Sequence, residues 1–424
     1  VTTPSTIDRC RGALLVAAGA YLALLPTGLL SFWRSLAFGA SALLAVAIIV
    51  LERRRGGGVP LPDKAIPVAA LAWALWALAS VAWSVDPRLS AGEVKADVLW
   101  GLLTFVIFYV AATTGPLAFD RLASAMLGAL AFFTALAAGI AMSAHGWNVD
   151  PFHRGEGALA TFLVTAAPFM LLLAWRPPVG LNRGVRTWIV ATLLLVLLVV
   201  TARMSENRVV WIAFAASFAV AMLLSPPTRA RGRAVAGAGA LLLVFGLLFT
   251  DAARERASHV RPGDTSVAAT LSADPRLVIW KSASEHIRAR PWLGYGYGLH
   301  ILGREIGRDT GDAKVMHPHN LFASQWLQTG AIGAALFTIM LGAVAHRFVR
   351  FTRMKDVALA RLGAIGLAVL VGFLIRNLTD DFFLRANGKL LFAACAILLG
   401  AGTLRRKELE RASGGAAPAA AAAP

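Results

Sequence analysis

Residues 316–345 read MHPHNLFASQWLQTGAIGAALFTIMLGAVA, a run that passes without a break from imidazoles and an amide into a long apolar segment. Polar residues at the head of an apolar run of more than 18 residues mark the point where a loop enters a membrane-spanning helix. Nine residues after Asn320 comes Gly330-Ala331-Ile332-Gly333, read as a small-residue packing patch roughly three turns deeper on the same helix. His319 is therefore placed at a membrane surface, at the start of a span, and the chain can be read outward from it.

The whole chain has the same character. Of 424 residues 58% are hydrophobic and 15% charged, more apolar surface than a soluble core needs. Apolar runs near 13–32, 35–51, 65–84, 97–114, 122–144, 157–175, 187–203, 207–225, 234–250, 320–345, 362–378 and 388–404 predict an all-α polytopic membrane protein with about twelve transmembrane helices. The domain reading is 1–250 for the first nine helices, 251–319 for one long, largely helical outer loop, 320–411 for three further helices, and 412–424 for a disordered tail rich in Ala, Gly and Pro. Cys10 and Cys395 are the two cysteines, too few for a disulfide or thiolate metal framework.

The net charge of +18 would suggest nucleic acid in a soluble protein, but its distribution points to topology. Arg53, Arg54, Arg55 and Lys64, then Arg176, Arg183 and Arg186, Arg229, Arg231 and Arg233, Arg347, Arg350, Arg353, Lys355 and Arg361, and Arg405, Arg406, Lys407 and Arg411 all fall on one side under the twelve-span count. That side is expected to be cytoplasmic. The 251–319 loop breaks the pattern. It lies on the other side yet carries Arg254, Arg256, Arg261, Arg276, Lys281, Arg288, Arg290, Arg304, Arg308 and Lys314, an excess of cation that suggests an anionic partner at the outer face.

Within this loop Asp274-Pro275 can open a helix, with Leu277, Trp280, Ala283, Ser284 and Ile287 expected on one face. The glycines of Trp292-Leu293-Gly294-Tyr295-Gly296-Tyr297-Gly298 do not sit between a strand and a helix. They are read as letting backbone bend close to another surface. Arg203 and Arg208 lie beside or inside apolar runs, where charge is costly and faces a partner or a wet cavity.

These residues suit one chemistry. His319 can accept a proton near neutral pH and act as a general base. A metal site is not expected, since no cysteine helps and two histidines two residues apart are too few ligands. Arginine forks bind phosphate oxygens bidentately, so Arg208 and Arg276 could hold a departing diphosphate. The chain has no Asp-X-Asp triplet, which favours a lipid-linked donor over a nucleotide-linked one.

The spacing His319-Asn320, nine residues, Gly330-Ala331-Ile332-Gly333 resembles the bacterial O-antigen ligase family, as do Ser205-Glu206-Asn207-Arg208-Val209-Val210-Trp211 and Arg276-Leu277-Val278-Ile279-Trp280 with Pro291–Gly298. The resemblance implies transfer of an O-antigen glycan from undecaprenyl diphosphate to a sugar hydroxyl of the lipid A core oligosaccharide. The reaction would be inverting, with no metal or cofactor, at the periplasmic face of the bacterial inner membrane. The implied partners are the lipid-linked glycan, the lipid A core and membrane lipids, with no nucleic acid. His319, Arg208 and Arg276 form the expected catalytic set, and Arg203, Arg154, His317, Asn320, Asp381 and Tyr295 the expected substrate-binding set. Ser205 stands three residues before Arg208 rather than beside it, so Arg203 and Arg208 compete for one role. The motif is shared with O-antigen polymerases and O-linked protein oligosaccharyltransferases, which remain alternatives here, as does, more distantly, a membrane transporter.

Overall fold

The computed structural model describes residues 5–143, 155–175, 184–205, 207–226 and 276–414, together with four isolated positions between 244 and 250. The protein is an all-α polytopic membrane protein. Nine of the described helices are long and apolar enough to cross a membrane, and Val209–Leu224 is an apolar helix of slightly shorter length. In chain order, α1 is Thr6–Leu24, α2 Ser31–Arg54 and α3 Ala65–Ala79, which ends in a 3-10 turn over Ser80–Trp83. Next come α4 (Pro87–Glu93), a π segment over Val94–Leu99, α5 (Trp100–Ala112) and α6 (Ala118–Ala141). They are followed by α7 (Glu156–Ala166), α8 (Leu171–Trp175), α9 (Val185–Met204) and α10 (Val209–Leu224). The last part of the chain forms α11 (Arg276–Ala289), α12 (Gly303–Thr310), α13 (Leu321–Thr352), α14 (Val357–Arg376) and α15 (Arg385–Gly414).

Side-chain contacts define the two ends of the bundle. At one end Arg11 meets Glu52, Asp63 faces Arg347 and Arg350, and Arg405 binds Asp356. At the other, Leu321 N donates to the carbonyl of Asn377 (2.9 Å), Arg376 reaches Gly157, and Arg385 meets Glu93 (2.6 Å). The first end gathers the described basic links that hold Asp63, Arg347, Arg350 and Arg405, while Arg176, Arg183, Arg229, Arg231 and Arg233 lie outside the described residues. The expected ninth span, 234–250, lies outside the described residues apart from isolated positions. The described chain before it, at the foot of α10, and after it, at α11, nonetheless lies at opposite ends of the bundle. Helix α15 continues to Gly414, into the segment 412–424 expected to be disordered; residues 415–424 lie outside the described residues.

Two expectations need correction. The stretch 320–345 is not one straight spanning helix. A straight α-helix of the 32 residues of α13 would run about 48 Å. Yet its first residue bonds to Asn377 and its last turn, through the Phe348 carbonyl and the Thr352 amide, lies against Gly363. Those two positions of α14 are about 21 Å apart. The helix bends sharply at Gly330, where φ is 68° and ψ −177°, a conformation essentially reserved for glycine.

The same break corrects the reading of Gly330–Gly333 as a helix-packing patch. Gly330 lies against the backbone of Trp292 and Leu293, and Gly294 against the backbone of Gln328. Residues 291–298 splice into the interrupted helix. Tyr295 N donates to Leu327 O (3.0 Å), Gly296 N to Gln328 O (2.9 Å), and Ala331 N to Pro291 O (2.8 Å). The Trp76 indole donates to Thr329 O at 2.9 Å. The carbonyls freed by the break are thus satisfied by the turn and by α3, which a break inside a membrane protein requires. Close small-residue packing occurs instead in α14, where Gly363 and Gly366 lie against the Phe348 region of α13.

Beneath the splice, Trp73, Phe337 and Phe383 pack ring on ring with centroids 4.9–5.9 Å apart, joined by Tyr297 at 6.3 Å from Trp73. This buried aromatic knot ties α3, α13, the 291–298 turn and the α14–α15 link into one unit below His319.

Candidate active site

The segment before α13 is pinned from three sides. Asn320 is the N-cap of α13, its side-chain oxygen accepting from Ala323 N at 3.0 Å, an interaction worth about 1 kcal/mol. The amide nitrogen of Asn320 donates to Leu378 O at 2.8 Å, so both ends of the side chain are engaged by the protein's own backbone. From above, the Trp280 indole of α11 donates to Pro318 O at 3.0 Å. Between these anchors His319 adopts φ 51°, a left-handed conformation that is uncommon outside glycine and is held only where the surroundings over-determine it.

That backbone turn aims the imidazole at the α14–α15 link. His319 Nδ1 lies 3.0 Å from Asp380 Oδ1. His317 Nε2 lies 3.5 Å from the same oxygen, and the two rings lie 3.9 Å apart. The other oxygen of Asp380 accepts from Arg376 Nη2 at 3.3 Å. Arg376 is completely buried, bonds to the Gly157 carbonyl at 3.2 Å and lies over the Phe382 ring. Burial pushes the Asp380 carboxyl up, but hydrogen bonds from His317 and His319 and the charge of Arg376 outweigh it and hold the group well below the usual carboxylate range. An ionised Asp380 places the His319 proton on Nδ1 and leaves a lone pair on Nε2. The His319 side chain is 26% exposed, against 17% for His317. Burial lowers the pKa of His317, which keeps that ring neutral.

The expected arginines belong to separate elements. Arg276, the first residue of α11, is close enough to Arg376 for the two guanidinium groups to repel. Arg208 heads α10. Midway along α10, Ser217 donates to Ala368 O of the antiparallel α14 at 2.8 Å. Counting about 1.5 Å per residue from that bond, Arg208 and Arg376 both lie roughly 12–14 Å along, in the same direction. Arg208 therefore stands at the level of the Arg376–Asp380 pair. Arg203 occupies the last turn of α9, and Arg154 lies outside the described residues.

Two further expected residues lie inside the protein. Asp381 is 3% exposed and accepts from Phe383 N at 3.1 Å. Burial pushes its carboxyl up to about 7, against the hydroxyl of Ser324 and the Phe383 amide, with the charges of Asp380 and Asp97 adding to the rise. Tyr295 belongs to the spliced turn. Its hydroxyl donates to His286 O at 3.1 Å and its ring lies under Arg290. On α11 the buried residues are Ile279, Ser282 and Ala283, while Leu277, expected on the packed face, is half exposed.

Sequence reasoning assigned no role to Arg376 or Asp380. The signal was present: an arginine ending an apolar run, with an aspartate four residues on, is a charge at membrane depth with its partner in reach. It also missed the cluster beside the site, where Arg385, at φ 48°, bonds to Glu93 and donates its amide to Asp97 at 2.7 Å. A metal ion could find ligands in His317, His319 and Asp380, whose ligand atoms lie within 4.8 Å of one another. Both imidazoles, however, are directed at one oxygen of a carboxylate already paired with arginine, the arrangement of donors on a shared acceptor.

Fold and site together define a class: a multi-pass membrane protein with an imidazole–carboxylate–guanidinium constellation at one end of its bundle. The family model described as O-antigen ligase matches residues 193–338. The match covers about a third of the chain, which over that stretch is similar to the O-antigen ligase family. The matched stretch holds Arg203, Arg208, Arg276, His317 and His319, whereas Arg376 and Asp380, which complete the site, follow it in the chain. No curated protein matches the chain.

Proposed function

We propose that the protein transfers a glycan from a polyprenyl diphosphate carrier to a sugar hydroxyl of a lipid A core acceptor, at the outer face of the bacterial inner membrane. The observation that carries this reading is the His319–Asp380 contact at 3.0 Å, with Arg376 paired to the same carboxylate and Arg276 near Arg376. His319 Nε2 takes the proton of the acceptor hydroxyl as its oxygen attacks the anomeric carbon. The bond from that carbon to the diphosphate oxygen breaks, and its electron pair leaves with the diphosphate. Attack opposite the leaving group inverts the centre. Arg208 and Arg276 bind the diphosphate and offset the charge it gains on departure. Asp380 orients the base, and Arg376 fixes Asp380. No cofactor or metal enters this scheme.

The test is reconstitution. Purified protein is incubated with polyprenyl-diphosphate glycan and chelator, with either core–lipid A or an unglycosylated protein acceptor, or with no acceptor. Glycosylated core–lipid A is the expected product. Lengthening of the lipid-linked glycan would assign a polymerase, and glycosylated protein an oligosaccharyltransferase.

A further inference from the structure

At the end of the bundle opposite His319, a cavity of about 770 Å³ opens between the foot of α5, the start of α6, α8, the start of α14 and the last part of α15. Its inner wall is apolar, formed by residues such as Phe119, Leu172, Ile365 and Ala401. Its mouth is charged. Arg405 reaches Asp356 at 2.9 Å and Glu408 at 3.4 Å, so both carboxylates at the mouth are engaged by that arginine. Lys355 and Arg361 also line the cavity, and the Arg361 guanidinium donates to the Trp175 carbonyl at 3.5 Å. Arg361 lies about 6 Å into α14, and Ile365 about 12 Å. The Arg361 guanidinium rests over the Trp175 ring at 5.4 Å. Cations that only record topology project from links. Here one is held a turn inside a span, at the entrance of a greasy pocket.

Polarity that runs from cationic mouth to apolar floor matches one kind of molecule: an amphiphile with an anionic head. The volume falls within the range of small-molecule sites, and basic pockets between helices at this leaflet are suited to phosphate headgroups. We propose that this cavity binds an anionic phospholipid of the leaflet opposite His319, its phosphate held by Lys355 and Arg361 and one acyl chain seated against Phe119, Leu172 and Ile365.

The test uses full-length protein in mixed micelles titrated with palmitoyl-oleoyl phosphatidylglycerol or the matching phosphatidylcholine. Retained lipid is counted by native mass spectrometry, and thermal unfolding is followed in parallel. Two cations predict a preference for phosphatidylglycerol of roughly thirtyfold. The preference should vanish in K355E/R361E and persist in K355R/R361K, while Ala401→Leu, which fills the apolar wall without touching the charges, should lower the retention of both lipids. Equal retention of both lipids by the natural protein, or an undiminished preference in K355E/R361E, overturns the proposal. So does glycerol phosphate competing as well as the lipid, which would mark a water-side anion site. If K355E/R361E fails to fold, the Ala401→Leu and glycerol phosphate arms decide alone. The readout is bound lipid, so it is independent of the reaction at His319.

Discussion

The imidazole of His319 and the carboxylate of Asp380 meet at 3.0 Å across 61 residues of chain, and the same carboxylate pairs with Arg376 one helical turn back. One acid therefore links the segment that enters α13 to the segment that leaves α14. Removing either partner has separable consequences. His319→Ala should lower transfer by about 10²–10⁴-fold, the usual contribution of a general base. Asp380→Asn should lower kcat by about 10–100-fold with little change in KM for the donor, because it disturbs the ring's orientation rather than the diphosphate site. Single-turnover assays with labelled lipid-linked glycan check both.

Arg276→Lys tests phosphate binding. A lysine keeps the charge but loses the planar fork, so the KM for the diphosphate donor should rise about tenfold or more while the protein purifies normally. An unchanged donor KM would remove Arg276 from the diphosphate site.

Gly330→Ala tests the splice. A methyl group there would meet the Trp292 carbonyl in a backbone conformation essentially closed to alanine. The yield of monodisperse protein should collapse. Gly342→Ala, in the same helix with open space around it, should be silent, and size-exclusion profiles compare the two.

Neighbouring aspartates give opposite pH signatures. Asp381, raised to about 7, favours the folded state below its unfolded value near 3.8 and loses that contribution as pH rises toward 7. Asp380, held well below 3.8, contributes above that value and loses its contribution only in stronger acid. Asp381→Asn should therefore flatten the fall in Tm between about pH 4 and pH 7, measured by differential scanning fluorimetry.

Chelation addresses the histidine pair. Transfer should persist in excess EDTA, and added Zn²⁺ should inhibit by occupying His317, His319 and Asp380.

Much of the architecture was legible because a bilayer imposes it. Among the described residues long apolar runs became helices, and the basic links around Arg347 and Arg405 gathered at one end. The glycines of 291–298 were read as a close backbone approach, and Gly294 and Gly296, with φ of 67° and 105°, make one. What sequence could not supply was the surface approached. Gly330 looked like a packing position within a continuous helix, since the surrounding residues favour helix on both sides. The break depends on a turn some 35 residues earlier filling the gap. Asp380 and Arg376 escaped for a related reason: pairing within one helical turn looks structural until a distant histidine is found on the same carboxylate.

The interruption at Gly330 also separates two mechanical tasks. Residues 331–352 can tilt as bilayer thickness varies, while Leu321–Thr329, moored to the 291–298 turn and to Asn377, need not follow. His319 is thereby insulated from the membrane's changing dimensions, and the same site geometry can serve in bilayers of unequal depth.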